Sequence, residues 1–321
     1  MFGDTGEVDH PIGVVSTNLM RIALMLVMAS FAAAAQPRML APVAGYVFDG
    51  SAGSIRAVVG VPGAASAGDR LPLNDSFSTA FLHPALAVAV GMGKDGSVVV
   101  ANWADPAHPR QAVLTPRFGA PDRIVFAANA DKAMLISASG VELWSALTSD
   151  PVVLYFYTSA ALGGSPGKAA LSSDGALAAI VLDSSRIVET SSDGLRQAGE
   201  GRSAVYAPGL FILTTDGALS TGGNTLASGL ESDAELTVMT GYNGVVALSR
   251  QSGRLSLIDV YTGQLTSVDC GGCQPARPQT LATPGLLYFE DAERGGLLLD
   301  STVAARPRIV PLAGIDGRRN Q

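Results

Sequence analysis

The feature that most constrains the fold of this chain is a short unit of four predicted strands. Its clearest copy covers residues 236–269, LTVMTGYNGVVALSRQSGRLSLIDVYTGQLTSVD. Predicted strands at 236–242, 245–250, 254–260 and 264–269 are separated by Asn-Gly, Ser-Gly and Thr-Gly pairs. These pairs tolerate positive φ and favour tight hairpin turns. Four antiparallel strands in about 35 residues match one blade of a β-propeller.

The unit repeats along most of the chain. A turn between its second and third strands recurs near Ala52, Asp95, Ser139, Ser184, Asp216, Ser252 and Arg294, at spacings of 32 to 45 residues. A turn between its first and second strands recurs at Pro84, Asp131, Asp174, Pro208, Asn243 and Pro284. These spacings fit propeller blades. We therefore predict an all-β fold, a seven-bladed β-propeller, with six blades or a β fold other than a propeller as the alternatives.

The first unit lacks its opening turn, so we expect the first blade to be incomplete at its start. A ring must close, and residues 308–312 are the strand that we expect the C-terminal end to contribute. Residues 60–72, rich in Ala, Gly and Pro, are interpreted as a loop that crosses from the first blade to the second. No amphipathic helix is expected after residue 35.

The N-terminal segment has the pattern of an export signal. Residues 20–35, MRIALMLVMASFAAAA, place one Arg before an apolar run and small residues. This predicts cleavage between Ala35 and Gln36. The run of 14 apolar residues is shorter than the roughly 20 that span a bilayer, although a buried helix or an uncleaved anchor is an alternative. Residues 1–19 contain acidic residues and no Lys or Arg, so we expect translation to start at Met20.

Three segments follow from this pattern. Residues 1–35 form a leader and signal peptide, 36–313 a single propeller domain, and 314–321 a polar tail that we expect to be flexible. The mature protein is expected to be secreted or periplasmic, monomeric and without a membrane span. A net charge of −7 with no basic run longer than Arg318-Arg319 argues against nucleic-acid binding.

The two cysteines, Cys270 and Cys273, are separated by two glycines. An oxidising compartment favours a disulfide, which is the interpretation that we prefer. Free or redox-active thiols and a metal site are the alternatives. Gln274 stands where a haem attachment motif needs His, and no second Cys pair accompanies the first.

Short motifs carry a family resemblance. Residues 259–263 read DVYTG, residues 172–175 read SSDG, and residues 45–49 read GYVFD. Over residues 40–312 the chain resembles exported bacterial β-propellers with YVTN-like or quinoprotein-like repeats. It lacks the Gly-His and Trp-Asp dipeptides of WD-repeat proteins. The resemblance implies a propeller fold and little about chemistry.

Candidate catalytic and ligating residues are few. His83 and His108 each precede proline, which favours a turn, and no Gly-x-Ser-x-Gly motif presents a nucleophile. Asp-Gly pairs favour turns and, alternatively, calcium ligands gathered from several blades; they begin at Asp95, Asp174, Asp193, Asp216 and Asp316. Trp103 and Trp144 are expected to pack between blades, with stacking on a ligand as the alternative. Residues 152–157, VVLYFY, are expected to pack in an inter-blade core or, alternatively, to expose a patch on an outer strand.

We expect an exported scaffold that binds a protein or glycan partner through one rim of loops, without cofactor or catalytic residues. Loops between blades place four candidate contacts: Arg117, Phe118, Arg202 and Arg277. The alternative is a metal-dependent, lactonase-like hydrolase with a divalent ion such as calcium near the axis. A quinone-dependent dehydrogenase is a weaker alternative, and a structural subunit of an envelope assembly is a third hypothesis.

Overall fold

The computed structural model describes residues 42–61, 63–74, 76–242, 244–303 and 306–315. Within these ranges the chain forms 27 strands in seven antiparallel sheets, and one short helix. The expected signal peptide, its cleavage site at Ala35 and Gln36, and Asn243 and Asp316 lie outside the described residues.

The sheets are the seven blades of the predicted propeller, which is confirmed. Blade 1 contains β1 (Val43–Asp49), β2 (Ser54–Val59) and β3 (Ser66–Arg70), and blade 2 contains β4 (Phe77–Leu82), β5 (Val88–Gly93), β6 (Val98–Asn102) and β7 (Arg110–Leu114). Blade 3 contains β8 (Arg123–Phe126), β9 (Lys132–Ser137), β10 (Gly140–Ser145) and β11 (Val152–Thr158), and blade 4 contains β12 (Pro166–Leu171), β13 (Ala178–Leu182), β14 (Arg186–Ser191) and β15 (Gly194–Glu200).

The remaining blades follow in chain order. Blade 5 contains β16 (Ser203–Tyr206), β17 (Leu210–Leu213), β18 (Leu219–Thr221) and β19 (Asn224–Ala227). Blade 6 contains β20 (Glu235–Val238), β21 (Gly244–Leu248), β22 (Arg254–Asp259) and β23 (Leu265–Asp269), and blade 7 contains β24 (Ala276–Thr280), β25 (Leu286–Asp291), β26 (Gly295–Asp300) and β27 (Arg308–Pro311). Helix α1 (Ser159–Leu162) connects blades 3 and 4.

Short polar side chains close the hairpins, which explains why the turn pairs predicted the strands. In blade 1 the Oδ1 atom of Asp49 accepts hydrogen bonds from the backbone N of Ser51 and Ala52, both at 3.1 Å. In blade 7 the Oδ1 atom of Asp291 does the same for Glu293 and Arg294. Such Asx turns fix the register of the flanking strands.

The core consists of seven apolar clusters, and each one lies between two neighbouring blades. Strand alternation produces this arrangement, because successive side chains point to opposite faces of a sheet. On β25, Leu287 and Phe289 pack against blade 6, whereas Leu286 and Tyr288 pack against blade 1. Seven interfaces between seven blades make a closed ring.

The predicted packing of the two tryptophans is also confirmed. Trp103 is buried between blades 1 and 2, with its ring 5.1 Å from that of Tyr46 in an edge-to-face contact. Trp144 is buried between blades 2 and 3. Large aromatic side chains supply much of the area that such an interface buries.

The first strand of each of blades 2 to 7 lies next to the axis. Consecutive first strands contact one another from β4 through β8, β12, β16 and β20 to β24. In blade 1 the innermost described strand is β1, which contacts β4 and runs in the direction of the second strands of the other blades. The ring closes where Thr283 N donates to Ala44 O at 2.9 Å and Gln279 Nε2 donates to Tyr46 O at 2.5 Å.

Two expectations about the strands of blade 1 were wrong. Residues 308–312 do not complete blade 1, because β27 pairs with β26 of its own blade. Only the next residue, Ala313, bridges to Ser66 of blade 1. Residues 60–72 are not a bare crossing loop, since they include β3, the outer strand of blade 1. Blade 1 has three strands within the described ranges.

Candidate functional site

The two rims of the ring carry different connections. In blades 2 to 7 the strands alternate in direction, so turns between second and third strands share one rim with the segments that join successive blades. In blade 1 the turn between β1 and β2 lies on this rim, because Gly53 O accepts from Phe77 N at 2.9 Å. We call this the connection rim; its described inter-blade segments are residues 71–74 with 76, 115–122, 159–165, 201–202, 228–234 and 270–275. The other turns lie on the opposite rim.

All four candidate contacts lie at the connection rim, but on different blades. Arg117 and Phe118 lie between blades 2 and 3, and the exposed Arg202 lies between blades 4 and 5. Arg277 is not in a loop as expected; it belongs to β24, at a register shift, and its guanidinium lies 3.6 Å from a carboxylate oxygen of Glu290. The structure therefore brings only Arg117 and Phe118 together.

Arg117 and Phe118 form a cluster with Phe156 of β11. The guanidinium carbon of Arg117 lies 4.0 Å from the centroid of the Phe156 ring, a cation–π contact. The Phe118 ring lies 6.2 Å from the same ring, edge to face. The buried Glu142 fixes this corner, because its Oε1 accepts from Phe118 N at 3.0 Å and its Oε2 accepts from Trp144 Nε1 at 3.1 Å.

The outer strand of blade 3 exposes a row of apolar side chains. We name Val152, Val153, Leu154 and Phe156 the blade-3 strip; these side chains are between 40% and 50% exposed. The expectation of an inter-blade core holds only for the two tyrosines of β11. The hydroxyl of Tyr157 donates to Ser191 O at 2.9 Å, and that of Tyr155 lies 3.4 Å from Thr190 Oγ1, both in blade 4.

A second group of side chains meets across the axis. Arg123 begins β8 of blade 3, Glu235 begins β20 of blade 6, and Arg123 Nη1 donates to Glu235 Oε1 at 2.7 Å. Blades 3 and 6 are not neighbours, so this bond crosses the centre of the ring. Arg250, in the turn before β22, places Nη2 3.7 Å from the second oxygen of Glu235.

Lys168 of β12 completes what we call the axial basic cluster, with Arg123, Arg250 and Glu235. Lys168 is half-buried, and burial lowers the pKa of its ammonium group. The charges of Arg123 and Arg250 also lower this pKa, whereas Glu235 and Asp233 raise it. Across the described ranges of the chain, Lys168 donates no side-chain hydrogen bond and forms no ion pair. The cluster therefore contains a cation without a hydrogen-bonding partner among the described residues, at the connection-rim end of the axis.

Sequence reasoning missed this cluster. Arg123 and Glu235 are separated by 112 positions, and no motif links them. The available signal is positional: Arg123, Lys168 and Glu235 each lie near the start of the first predicted strand of a unit. Residues at these positions lie near the axis once the ring closes, but the sequence does not show which of their side chains meet.

A groove of about 310 Å³ lies between blades 4 and 5. The short strands β18 and β19 leave this space open next to β15. Glu189 lies at its base, accepting from Arg196 Nε at 2.6 Å and from the Tyr206 hydroxyl at 2.9 Å. Burial, together with the Glu189 carboxylate, raises the pKa of Tyr206. The carboxylate is thus already occupied by protein partners.

The four described carboxylates that were considered as calcium ligands do not converge. Asp95 and Asp216 lie on the connection rim, whereas Asp174 and Asp193 lie on the opposite rim. Asp95 Oδ1 accepts from the Ser97 hydroxyl at 2.6 Å, and Asp174 Oδ1 accepts from the Ser172 hydroxyl at 2.7 Å. The described ranges contain no group of three or more His, Cys, Asp or Glu that could hold a metal ion. The axial cluster is mainly cationic and does not fit a divalent cation.

Cys270 and Cys273 are bonded to each other in the connection between blades 6 and 7, with their Cα atoms 5.6 Å apart. Both are buried in the cluster between these blades. Arg294 holds the same segment, because its Nη1 donates to Cys270 O at 2.6 Å and its Nη2 to Gly271 O at 2.5 Å. The disulfide therefore lies within the packed interface between blades 6 and 7.

The comparisons with known proteins show the fold alone. No family model and no curated protein sequence matches the chain. Among solved structures, Hsv2 of Kluyveromyces lactis is 9% identical with a TM-score of 0.51, covering 69% of this chain and 73% of its own. Sqt1 of Chaetomium thermophilum, solved bound to the N-terminus of ribosomal protein L10, is 14% identical with a TM-score of 0.52, covering 81% of each chain.

No helix in the described ranges is both long and apolar enough to cross a membrane.

Proposed function

We propose that this protein is an exported β-propeller scaffold that binds a protein partner through blade 3 and the adjoining connection rim. The observation that carries the proposal is the blade-3 strip, which ends beside Arg117 and Phe118. Exposed apolar side chains that lie together on a surface are typical of interaction sites. Aromatic residues and Arg are the side chains most often found at the energetic centre of protein interfaces.

The edge of β11 supports the same proposal. β11 pairs with β10 on one side, and no described strand pairs with its other side. An open strand edge can accept an extended segment of a partner through backbone hydrogen bonds. The Sqt1 structure provides a precedent for a propeller that holds a segment of another protein.

Export and the bacterial YVTN-like grouping are part of the proposal. The signal-like residues 20–35 support export, and so does the disulfide between Cys270 and Cys273, since disulfides persist in oxidising compartments. The groove between blades 4 and 5 supports a glycan as the second candidate partner. Its lining includes Arg196, Gln197, Ser220 and Thr221, side chains that can bond to hydroxyl groups.

The test is selection of a random-peptide phage library on the protein that begins at Gln36. The selected peptides are then measured against L154K/F156K, which breaks the strip, and against V113K as the matched control. Val113 is 69% exposed on the outer strand of blade 2. We expect L154K/F156K to weaken binding at least about tenfold, because central apolar contacts each contribute about 1–2 kcal/mol or more, and V113K to leave it unchanged.

Two results would contradict the proposal. One is that no peptide is enriched by the folded protein. The other is that the selected peptides bind L154K/F156K and V113K equally well. Circular dichroism and thermal melting of all three proteins establish that the substitutions act at the surface rather than on the fold.

A further inference from the structure

We propose that the axial basic cluster is a carboxylate-binding site, with Lys168 as the principal donor and Arg123 and Arg250 beside it. The site faces the channel at the connection rim, apart from the blade-3 strip. It is a second binding function of the ring and stands whether or not the strip binds a protein.

The position of the cluster is set by the ring itself. Arg123, Lys168 and Glu235 lie on the first strands of blades 3, 4 and 6, and the first strands surround the axis. In the ladders, Arg123 pairs with Ile136, Lys168 with Val181 and Glu235 with Leu248, each within one residue of the strand end at the connection rim. Three blades therefore present charged side chains to one end of the channel.

The charges at this end are unequal. Three cations, Arg123, Lys168 and Arg250, face two carboxylates, Glu235 and Asp233. Asp233 is occupied: its Oδ1 accepts from the Ser249 hydroxyl at 2.9 Å, and its Oδ2 accepts from the backbone N of Arg250 at 3.1 Å and of Gln251 at 3.2 Å. An excess of one positive charge matches a monovalent anion.

Lys168 is the group that this excess leaves without a partner. Glu235 gives one oxygen to Arg123 at 2.7 Å, and its other oxygen lies nearest to Arg250, at 3.7 Å. A half-buried ammonium group without a hydrogen-bond acceptor is costly, and a carboxylate in the channel would satisfy it. Arg250 is more than half exposed, so its side chain can turn towards a ligand without breaking core contacts.

The carboxylate can come from a small free acid or from an acidic side chain of a peptide that enters the channel mouth. Both sources offer the same group to Lys168. The two are separated by probing with propionate and with an acetylated, amidated alanine pentapeptide that carries one glutamate. Propionamide and the same peptide with glutamine are the neutral controls.

The chain contains three lysines, Lys94, Lys132 and Lys168. Reductive methylation with ¹³C-formaldehyde therefore gives three side-chain signals, resolved by NMR and assigned with K94Q, K132Q and K168Q. Lys94 is exposed, and Lys132 Nζ donates to Asp174 O at 3.0 Å, so both serve as internal references. Each probe is titrated at constant ionic strength, because screening changes all surface amines together.

We expect the Lys168 signal to shift saturably with propionate, with the glutamate peptide, or with both, while Lys94 and Lys132 stay in place. R250A should weaken the interaction about threefold, which is typical of a partly exposed charge pair. The matched control R254A, also exposed and two residues beyond the same turn, should leave it unchanged.

The proposal is overturned if Lys168 shifts no further than Lys94, or if the neutral controls shift it equally. A response to propionate alone identifies a free acid as the ligand, and a response to the glutamate peptide alone identifies an acidic side chain. Loss of peptide binding in L154K/F156K with an unchanged Lys168 titration would separate this site from the blade-3 strip.

Discussion

His83 is a buried residue that joins two blades. Its Nδ1 atom accepts hydrogen bonds from the backbone N of Ala85 at 3.0 Å and of Leu86 at 2.9 Å. Nε2 must therefore carry the proton, and it lies 3.1 Å from Ala130 O in blade 3. The sequence predicted a residue at a turn from the His-Pro pair. It could not show the contact with Ala130, because that contact spans 47 positions and exists only when blades 2 and 3 are packed.

The protonation of His83 predicts a pH dependence of stability. Burial lowers the pKa of His83, because a charged imidazole is poorly solvated there and Nδ1 would lose its role as an acceptor. The unfolded chain then binds the proton more tightly than the folded chain. The contribution is complete above the unfolded pKa, about 6.5, and is lost as the pH falls through the lower folded value.

We expect the free energy of unfolding in urea to fall between pH 7.5 and pH 5.5, and we expect H83Q to reduce this dependence. H83Q should also cost about 1–3 kcal/mol at pH 7.5, since buried backbone groups lose their partner. H108Q is the matched control, because His108 is an exposed side chain that contacts the exposed Asp105. An equal pH dependence in the wild-type protein and H83Q would refute this account.

At the scale of elements, the turn residues allowed the positions of the strands to be predicted. They said less about what the two faces of each strand contact. The hairpin turns of residues 236–269 located β21, β22 and β23 within a few residues. In β11 the pattern was uninformative, because an all-apolar run has no alternation to show which side faces outward. A register shift at Leu154 also breaks the alternation, so adjacent residues Val153 and Leu154 are both exposed.

We expect the disulfide in the segment that joins blades 6 and 7 to contribute modestly to stability. Cys270 and Cys273 close a ring of four residues, and loop-closure entropy for so short a ring amounts to about 2 kcal/mol. We expect C270A/C273A to lower the free energy of unfolding by about this amount, measured in urea. Reduction of the wild-type protein should produce a similar loss, and the double variant should be insensitive to reductant. Equal stability of the oxidised wild type and the variant would contradict this expectation.

At the scale of the whole molecule, the ring is what creates the axial basic cluster. The repeat predicted seven blades, and hence that first strands would surround a channel. It did not predict that Arg123 and Glu235 would bond across that channel. A repeat shows which blades are neighbours, whereas a contact between opposite blades depends on side-chain length and strand register. The partner of the last strand could not be predicted for a similar reason. The sequence of residues 308–312 is compatible with pairing to the open edge of either blade 1 or blade 7, and in the structure β27 pairs with β26 of blade 7.

Closure of the ring predicts that a single apolar truncation between blades 7 and 1 destabilises the whole molecule. Leu312 is 2% exposed and, together with Ile315, packs in the cluster between blades 7 and 1, where the two ends of the described chain meet. L312A should therefore cost about 2–5 kcal/mol, the range for deleting a buried leucine side chain. Because every blade depends on its neighbours, we expect one cooperative urea transition with a lower midpoint and an unchanged slope.

V303A is the matched control, since Val303 is 61% exposed beside the same blade. If L312A costs no more than V303A, this cluster does not hold the ring closed; if L312A unfolds in two steps, blades 7 and 1 separate before the rest of the ring.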